Sequence, residues 1–206
     1  AIRLPEACGE RDNLIENAPQ LLVLGDSVAA GVGVDEIENA LAGAISQQLF
    51  EQTMQKISWQ VFAQSGDKLS DLINKLSSKS YVVDFVVISI GVNDVTAFTS
   101  TSKWYNLLRQ LFKKLVIQNP EVSILLLAIP PMEKFPLLPI PLATVLGERS
   151  TKLNAISRRV CQEFTQVNFL TIDVEADDSL FAKDGYHPSQ ESCKLLANKV
   201  VDELLH

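Results

Sequence analysis

The sequence predicts an α/β protein: a three-layer α/β/α sandwich on a five-stranded parallel sheet of the doubly wound, flavodoxin-like kind. Three observations carry that expectation. Short apolar runs alternate with segments of helical periodicity along the chain. The runs are continuous rather than alternating in polarity, which suits strands buried on both faces. The length of 206 residues suits one sizeable core, so a single domain over 1–206 is expected, with no structural expectation for 1–19.

Taken in order, Leu21 to Leu24 is the first run and ends at Gly25. Glu36 to Phe50 follows as a helix, with Ile37, Leu41, Ala44, Ile45 and Leu49 on one stripe. Ile57 to Phe62 is the second strand and Leu69 to Leu76 a short helix. Phe85 to Ile90, rich in β-branched residues, is the third strand and ends at Gly91. Trp104 to Ile117 is helical, and Val122 to Ile129 is the fourth strand. Five prolines between Pro130 and Pro141 forbid regular structure there. A helix over Val145 to Phe164, a strand over Val167 to Ile172 and a helix over Ser189 to Leu204 complete the alternation.

Composition excludes several classes. A net charge of −7 and the absence of a Lys/Arg cluster interleaved with aromatics argue against nucleic acid or an anionic membrane as partner. No apolar run approaches the ~20 residues that span a bilayer, so no stable membrane insertion is expected. Cys8, Cys161 and Cys193 form no metal-ligand pattern and read as reduced, mostly buried thiols, although a Cys161–Cys193 bridge stays open if the protein is exported. Nothing calls for a cofactor or a metal. The chain begins at Ala1 rather than Met, which leaves an upstream segment, the compartment and the oligomeric state open.

In doubly wound sheets, ligands bind beyond the carboxyl ends of the strands. Gly25-Asp26-Ser27 follows the first strand, Ser65-Gly66 the second and Gly91-Val92-Asn93-Asp94 the third. Beyond the fifth and a short acidic loop comes Asp184-Gly185-Tyr186-His187-Pro188. Acyl transfer needs this set. A serine hydroxyl becomes a nucleophile when imidazole takes its proton, and a carboxylate three residues before the imidazole can fix its tautomer. His187 is the only internal histidine, since His206 is terminal and expected to fray. The oxyanion needs preorganised donors. The Ser27 amide is available if a helix starts there, and the Gly66 amide and the Asn93 carboxamide complete the set. Each block alone is an ordinary turn or cap. Together, at one sheet edge, they complete one mechanism.

These four blocks resemble the signature blocks of the SGNH hydrolases, also called GDSL esterases/lipases, from about residue 21 to the C-terminus. The resemblance implies the three-layer fold and hydrolysis of a small acyl ester. It implies Ser27 as nucleophile, His187 as base, Asp184 as its partner, and an oxyanion hole of Ser27, Gly66 and Asn93. The chain lacks the Gly-x-Ser-x-Gly elbow of the α/β-hydrolases.

The family acts on several ester classes, so the local sequence must choose. The proline-rich loop hangs from the fourth strand, and Met132, Phe135, Leu137, Leu138 and Ile140 are expected to line an acyl pocket or lid, with Val28 on the near wall. That favours short- to medium-chain acyl esters or lysophospholipid-like substrates. A carbohydrate O-acetylesterase of the same fold is the alternative, weakened by few aromatics for stacking. A non-catalytic flavodoxin-like module is the other. It lacks a lysine after the fifth strand and a complete phosphate loop, and it leaves Asn93 and His187 without a role.

Overall fold

The computed structural model describes residues 3–172 and 178–205. The expectations for His206 and for the acidic loop that begins at residue 173 lie outside them. Five parallel strands form the sheet: β2 (Gln20–Gly25), β3 (Ser58–Ala63), β4 (Phe85–Ser89), β5 (Ser123–Leu127) and β6 (Val167–Leu170). A sixth strand absent from the sequence reading, β1 (Asp12–Asn13), adds antiparallel to β3 at the edge. The order is β1-β3-β2-β4-β5-β6, so the parallel part is the expected flavodoxin-like arrangement.

Side-chain alternation divides the interior into two cores. Leu22, Leu24, Val86, Ile88, Ile124 and Leu126 face α2 (Leu69–Leu76), α4 (Thr101–Gln118) and α5 (Leu142–Cys161). Their neighbours Leu21, Val23, Val87, Leu125 and Leu127 face α1 (Leu41–Thr53) and α6 (Gln190–Leu205). Strands buried on both faces explain the continuous apolar runs. The same division excludes a Cys161–Cys193 bridge, because those buried thiols belong to opposite cores. All three cysteines are free, and Cys8 is exposed rather than buried.

Several boundaries moved for local reasons. The expected helix over Glu36 to Phe50 is a 3₁₀ turn at Ile37–Asn39, an extended Ala40, and then α1. A Cβ at Gly43 would lie 2.1 Å from the Glu38 carbonyl oxygen, so glycine is what allows the turn to pack on the helix. Helix α5 starts at Leu142, three residues before the periodicity suggested, with Pro141 at its cap where a missing N–H costs nothing. Ser100 caps α4 by accepting the Lys103 amide at 3.2 Å, and the Trp104 indole donates to the Ser157 hydroxyl at 2.9 Å, joining α4 to α5. A five-residue helix, α3 (Val92–Thr96), was not anticipated and carries Asn93.

Candidate active site

The turn after β2 is held against β4. Gly25 pairs with Ser89, and a Cβ on it would fall 2.0 Å from the Ser89 carbonyl oxygen. Asp26 then donates its amide to the same carbonyl at 3.1 Å. No α-helix starts at Ser27. Instead the chain runs through successive turns, with Ala30 N–H bonding to Asp26 O, Gly31 N–H to Val28 O and Val32 N–H to Ser27 O at 2.9–3.1 Å. Among the described residues, neither the amide nor the hydroxyl of Ser27 has a hydrogen-bond partner, so both remain available. Asp26 is buried, with one oxygen accepting the Val28 amide at 3.2 Å and the other without a partner. Burial pushes its carboxyl from 3.8 up to about 7, against the opposing pull of the Val28 and Gly91 amides and with a further push from Asp94.

The loops after β3 and β4 are tied to each other. Gly66 has φ +90°, a left-handed conformation that favours glycine, and a Cβ there would meet nothing within 4 Å. Its amide therefore sits in an uncrowded loop. The neighbouring Asp67 carbonyl accepts the Asn93 carboxamide at 3.0 Å, and the Asp67 carboxylate pairs with Lys75 at 2.6 Å. Asn93 sits in the first turn of α3. The buried Asp94 beside it accepts the Leu69 amide and the Thr99 hydroxyl, both at 2.8 Å, fixing α3 to the start of α2. Burial raises the Asp94 carboxyl despite those bonds.

The loop before α6 supplies an oriented imidazole. Asp184 Oδ2 lies 2.7 Å from His187 Nδ1, while Oδ1 accepts the amides of Tyr186 and His187 at 3.0 Å each. Burial alone would raise the Asp184 carboxyl. The bonds from the His187 ring and from the two amides outweigh it, and the carboxyl lies below its ordinary value. Nδ1 is thereby committed and Nε2 is the nitrogen left for chemistry. Ser27 and His187 are not hydrogen-bonded to each other in this structure. Their segments meet at Gly33, where a Cβ would lie 2.6 Å from the Pro188 carbonyl oxygen and 3.4 Å from His187 Cβ. The charges of Asp26 and Asp184 both act on the Tyr186 hydroxyl, which burial already raises, to about 12. Among the described residues no three His, Cys, Asp or Glu side chains converge to hold a metal ion.

Residues 23–195 match the GDSL-like Lipase/Acylhydrolase family. The chain belongs to this family. It is accordingly an ester hydrolase. Solved structures agree on the fold. A lipase/acylhydrolase from Enterococcus faecalis superposes with TM-score 0.71 at 20% identity, covering 90% of this chain and 95% of the other. The esterase EstA from Pseudoalteromonas sp. gives 0.67 at 20% identity over 90% and 96% of the two chains. The acetyl xylan esterase AlAXEase gives 0.67 at 17% identity over 90% and 99%. No curated protein matches the sequence significantly. Among the described residues no helix is long and apolar enough to cross a membrane.

In this GDSL hydrolase the proline-rich loop lies against the segment that carries Asp184 and His187, since the Leu137 amide donates to the Gly185 carbonyl at 3.1 Å. Its side chains divide differently from expectation. Met132 is fully buried in the core, and Phe135 is buried against Phe181 and Tyr186 with ring centroids 5.6 and 5.1 Å away. Neither can line an open acyl pocket; they seat the loop. Leu138 is half-buried, Leu137 and Ile140 are exposed, and Val28 is half-buried on the Ser27 turn. Sequence reasoning also gave no part to Glu6, Arg11, Tyr186 or the buried Asp26. Only Asp26 carried a signal, as a carboxylate directly after a strand buried on both faces.

Proposed function

We propose that the chain is a serine esterase acting through an acyl-enzyme, with Ser27 as nucleophile, His187 as general base and Asp184 as its partner. The observation that carries this reading is the 2.7 Å Asp184–His187 contact, in which two backbone amides pin the other carboxylate oxygen. Asp184 holds the neutral imidazole with its proton on Nδ1. His187 Nε2 takes the Ser27 proton as Oγ attacks the ester carbonyl, and returns it to the leaving alkoxide. Water, activated by the same nitrogen, then releases the acid and regenerates Ser27. The amides of Ser27 and Gly66 and the carboxamide of Asn93 receive the oxyanion. The missing Ser27–His187 bond fits a pair that closes with substrate, as free enzymes commonly show loose catalytic contacts.

The substrate reading is a short- to medium-chain acyl ester or a lysophospholipid-like lipid, the chain resting on Leu137, Leu138 and Val28. Both tryptophans are buried, at 2% and 0% exposure for Trp59 and Trp104, which leaves no indole face for sugar stacking. Labelling by a fluorophosphonate probe tests the mechanism: the wild type should label and Ser27→Ala should not, while keeping its melting temperature. An unlabelled wild type refutes it. Hydrolysis of nitrophenyl acetate, butyrate, octanoate and laurate tests the substrate, with butyrate to octanoate expected to be best. A steep preference for acetate would instead favour an O-acetylesterase.

A further inference from the structure

Residues 3–15 precede the stretch that matches the family, yet they touch two of the loops at the sheet edge. The Ala7 amide donates to the Ala30 carbonyl at 3.2 Å, and a Cβ on Gly31 would strike Ala7 Cβ at 2.6 Å, so the arm lies flat against the turn that carries Ser27. One residue earlier, Glu6 Oε1 accepts the Ser65 amide at 2.6 Å, and Glu6 Oε2 pairs with Arg11 Nη2, also at 2.6 Å. Arg11 Nη1 donates to the Ala63 carbonyl at 2.7 Å, at the last residue of β3. The Arg11 carbonyl in turn accepts the Val61 amide at 2.7 Å. The loop from Gln64 to Lys68 is therefore held from two sides, by Asn93 through Asp67 and by Glu6 through Ser65.

We infer that Glu6 is a positioning residue for the reaction: with Arg11 it staples the Ser65–Gly66 loop to the Ser27 turn and fixes the direction of the Gly66 amide. The inference rests on the reading of Gly66 and Asn93 as oxyanion donors. Gly66 needs such a staple. Its own surroundings give no steric support, and its left-handed backbone is one of several that glycine can adopt. A donor helps only when it is aimed before charge develops, because reorienting it during the reaction forfeits the gain. Ser65 is the link through which Glu6 acts, since its amide is held one residue ahead of Gly66. A hydrogen bond to an ionised acceptor is about twice as strong as a neutral one, and so suited to holding an exposed loop. The pairing also resolves an electrostatic conflict. A bare carboxylate one residue from a forming oxyanion would oppose it, and the Arg11 guanidinium cancels that charge at 2.6 Å. The ion pair is partly exposed, so its own contribution to folding is small and its effect is local.

Glu6→Ala removes the acceptor, and Glu6→Gln keeps an oxygen that can still receive the Ser65 amide. The expected result with nitrophenyl butyrate is a kcat about 10-fold lower in Glu6→Ala with KM little changed. That is less than the ~10²–10³ for outright loss of an oxyanion donor. Glu6→Gln should recover most of the loss, and amide hydrogen exchange at Ser65 should be faster in Glu6→Ala alone. Melting temperatures of both variants should stay within a few degrees of wild type, given the exposure of the pair. A wild-type kcat in Glu6→Ala, or equal losses in the Ala and Gln variants, overturns the inference. Asn93→Ala separates the two levels. If it loses activity while Glu6→Ala does not, the oxyanion reading stands and the staple falls; if Asn93→Ala also keeps its kcat, both fall.

Discussion

Replacing Asp26 by asparagine should change how stability depends on pH. Asp26 is 1% exposed, one of its oxygens has no partner, and burial places its carboxyl near 7 instead of 3.8. At pH below 3.8 the group is protonated both folded and unfolded and costs nothing. Between 3.8 and about 7 the unfolded chain ionises Asp26 while the folded chain does not, so stability falls as pH rises. Above that range the group is ionised in both states and the full penalty persists. From pH 5 to pH 8 the part lost is about 2–3 kcal/mol, from the 1.36 kcal/mol carried by each pH unit. Asparagine keeps the oxygen that receives the Val28 amide and has no proton to lose. It also puts an amide N–H₂ where the unpartnered oxygen stood, at a cost that does not vary with pH. The absolute stability of the variant is therefore uninformative, and its slope is the readout.

The assay is thermal or urea denaturation of wild type and Asp26→Asn at pH 5, 6, 7 and 8. The variant should gain about 2–3 kcal/mol on wild type across that range, or about 5–10 °C in relative melting temperature for a chain of this size. Asp94, itself raised by burial, adds a smaller push to the Asp26 shift. Parallel pH profiles for the two proteins would show that Asp26 is ionised throughout, and would refute the burial argument.

Two other predictions bear on the histidine loop. Gly33→Ala places a methyl group 2.6 Å from the Pro188 carbonyl oxygen and 2.8 Å from Ala182 Cβ, at φ +98°. It should displace His187 and cut kcat at least 10-fold with a smaller effect on KM, measured by steady-state hydrolysis. Asp184→Asn should lower kcat by about 10⁴, because an amide can no longer select the Nδ1–H tautomer. Its stability deficit should be present above the usual carboxylate range and vanish as pH falls through the lowered folded value, the reverse of the Asp26 trend.

The sheet was legible because burial on both faces leaves a sequence mark: Leu21 to Leu24 and Phe85 to Ile88 are apolar at every position, and a helix stripe follows each. The candidate blocks around Ser27, Gly66 and Asn93 stood out because they lie directly after strands, where the chain must turn, whereas Asp184 and His187 come only after β6 and a further loop. What escaped detection depends on contacts between distant segments. The two residues of β1 have no periodicity, and they form a strand only because β3 offers an open edge. Met132 and Phe135 are apolar in a loop, and nothing local distinguishes a residue lining a pocket from one sealing it. Phe135 packs against Phe181 and Tyr186, which arrive about fifty residues later. The link from Glu6 to Ser65 spans 59 positions and rests on one side-chain oxygen.

Two aspartates at this edge show how environment assigns chemistry. Asp26 and Asp184 begin as the same side chain, and both are nearly excluded from water. Asp184 collects three donors, one of them the imidazole, and is driven toward the carboxylate form that holds the His187 ring. Asp26 collects one backbone donor on one oxygen and nothing on the other, and burial drives it toward the acid. Were Asp26 ionised as readily, its charge would lie one residue from the Ser27 hydroxyl and near Tyr186, where it would oppose the build-up of an alkoxide or oxyanion. A proton held by burial removes that opposition without a counter-ion. The activity should thus weaken as pH rises through about 7 and Asp26 ionises. Asp26→Asn should shed that alkaline fall, a difference that the pH profile of kcat measures directly.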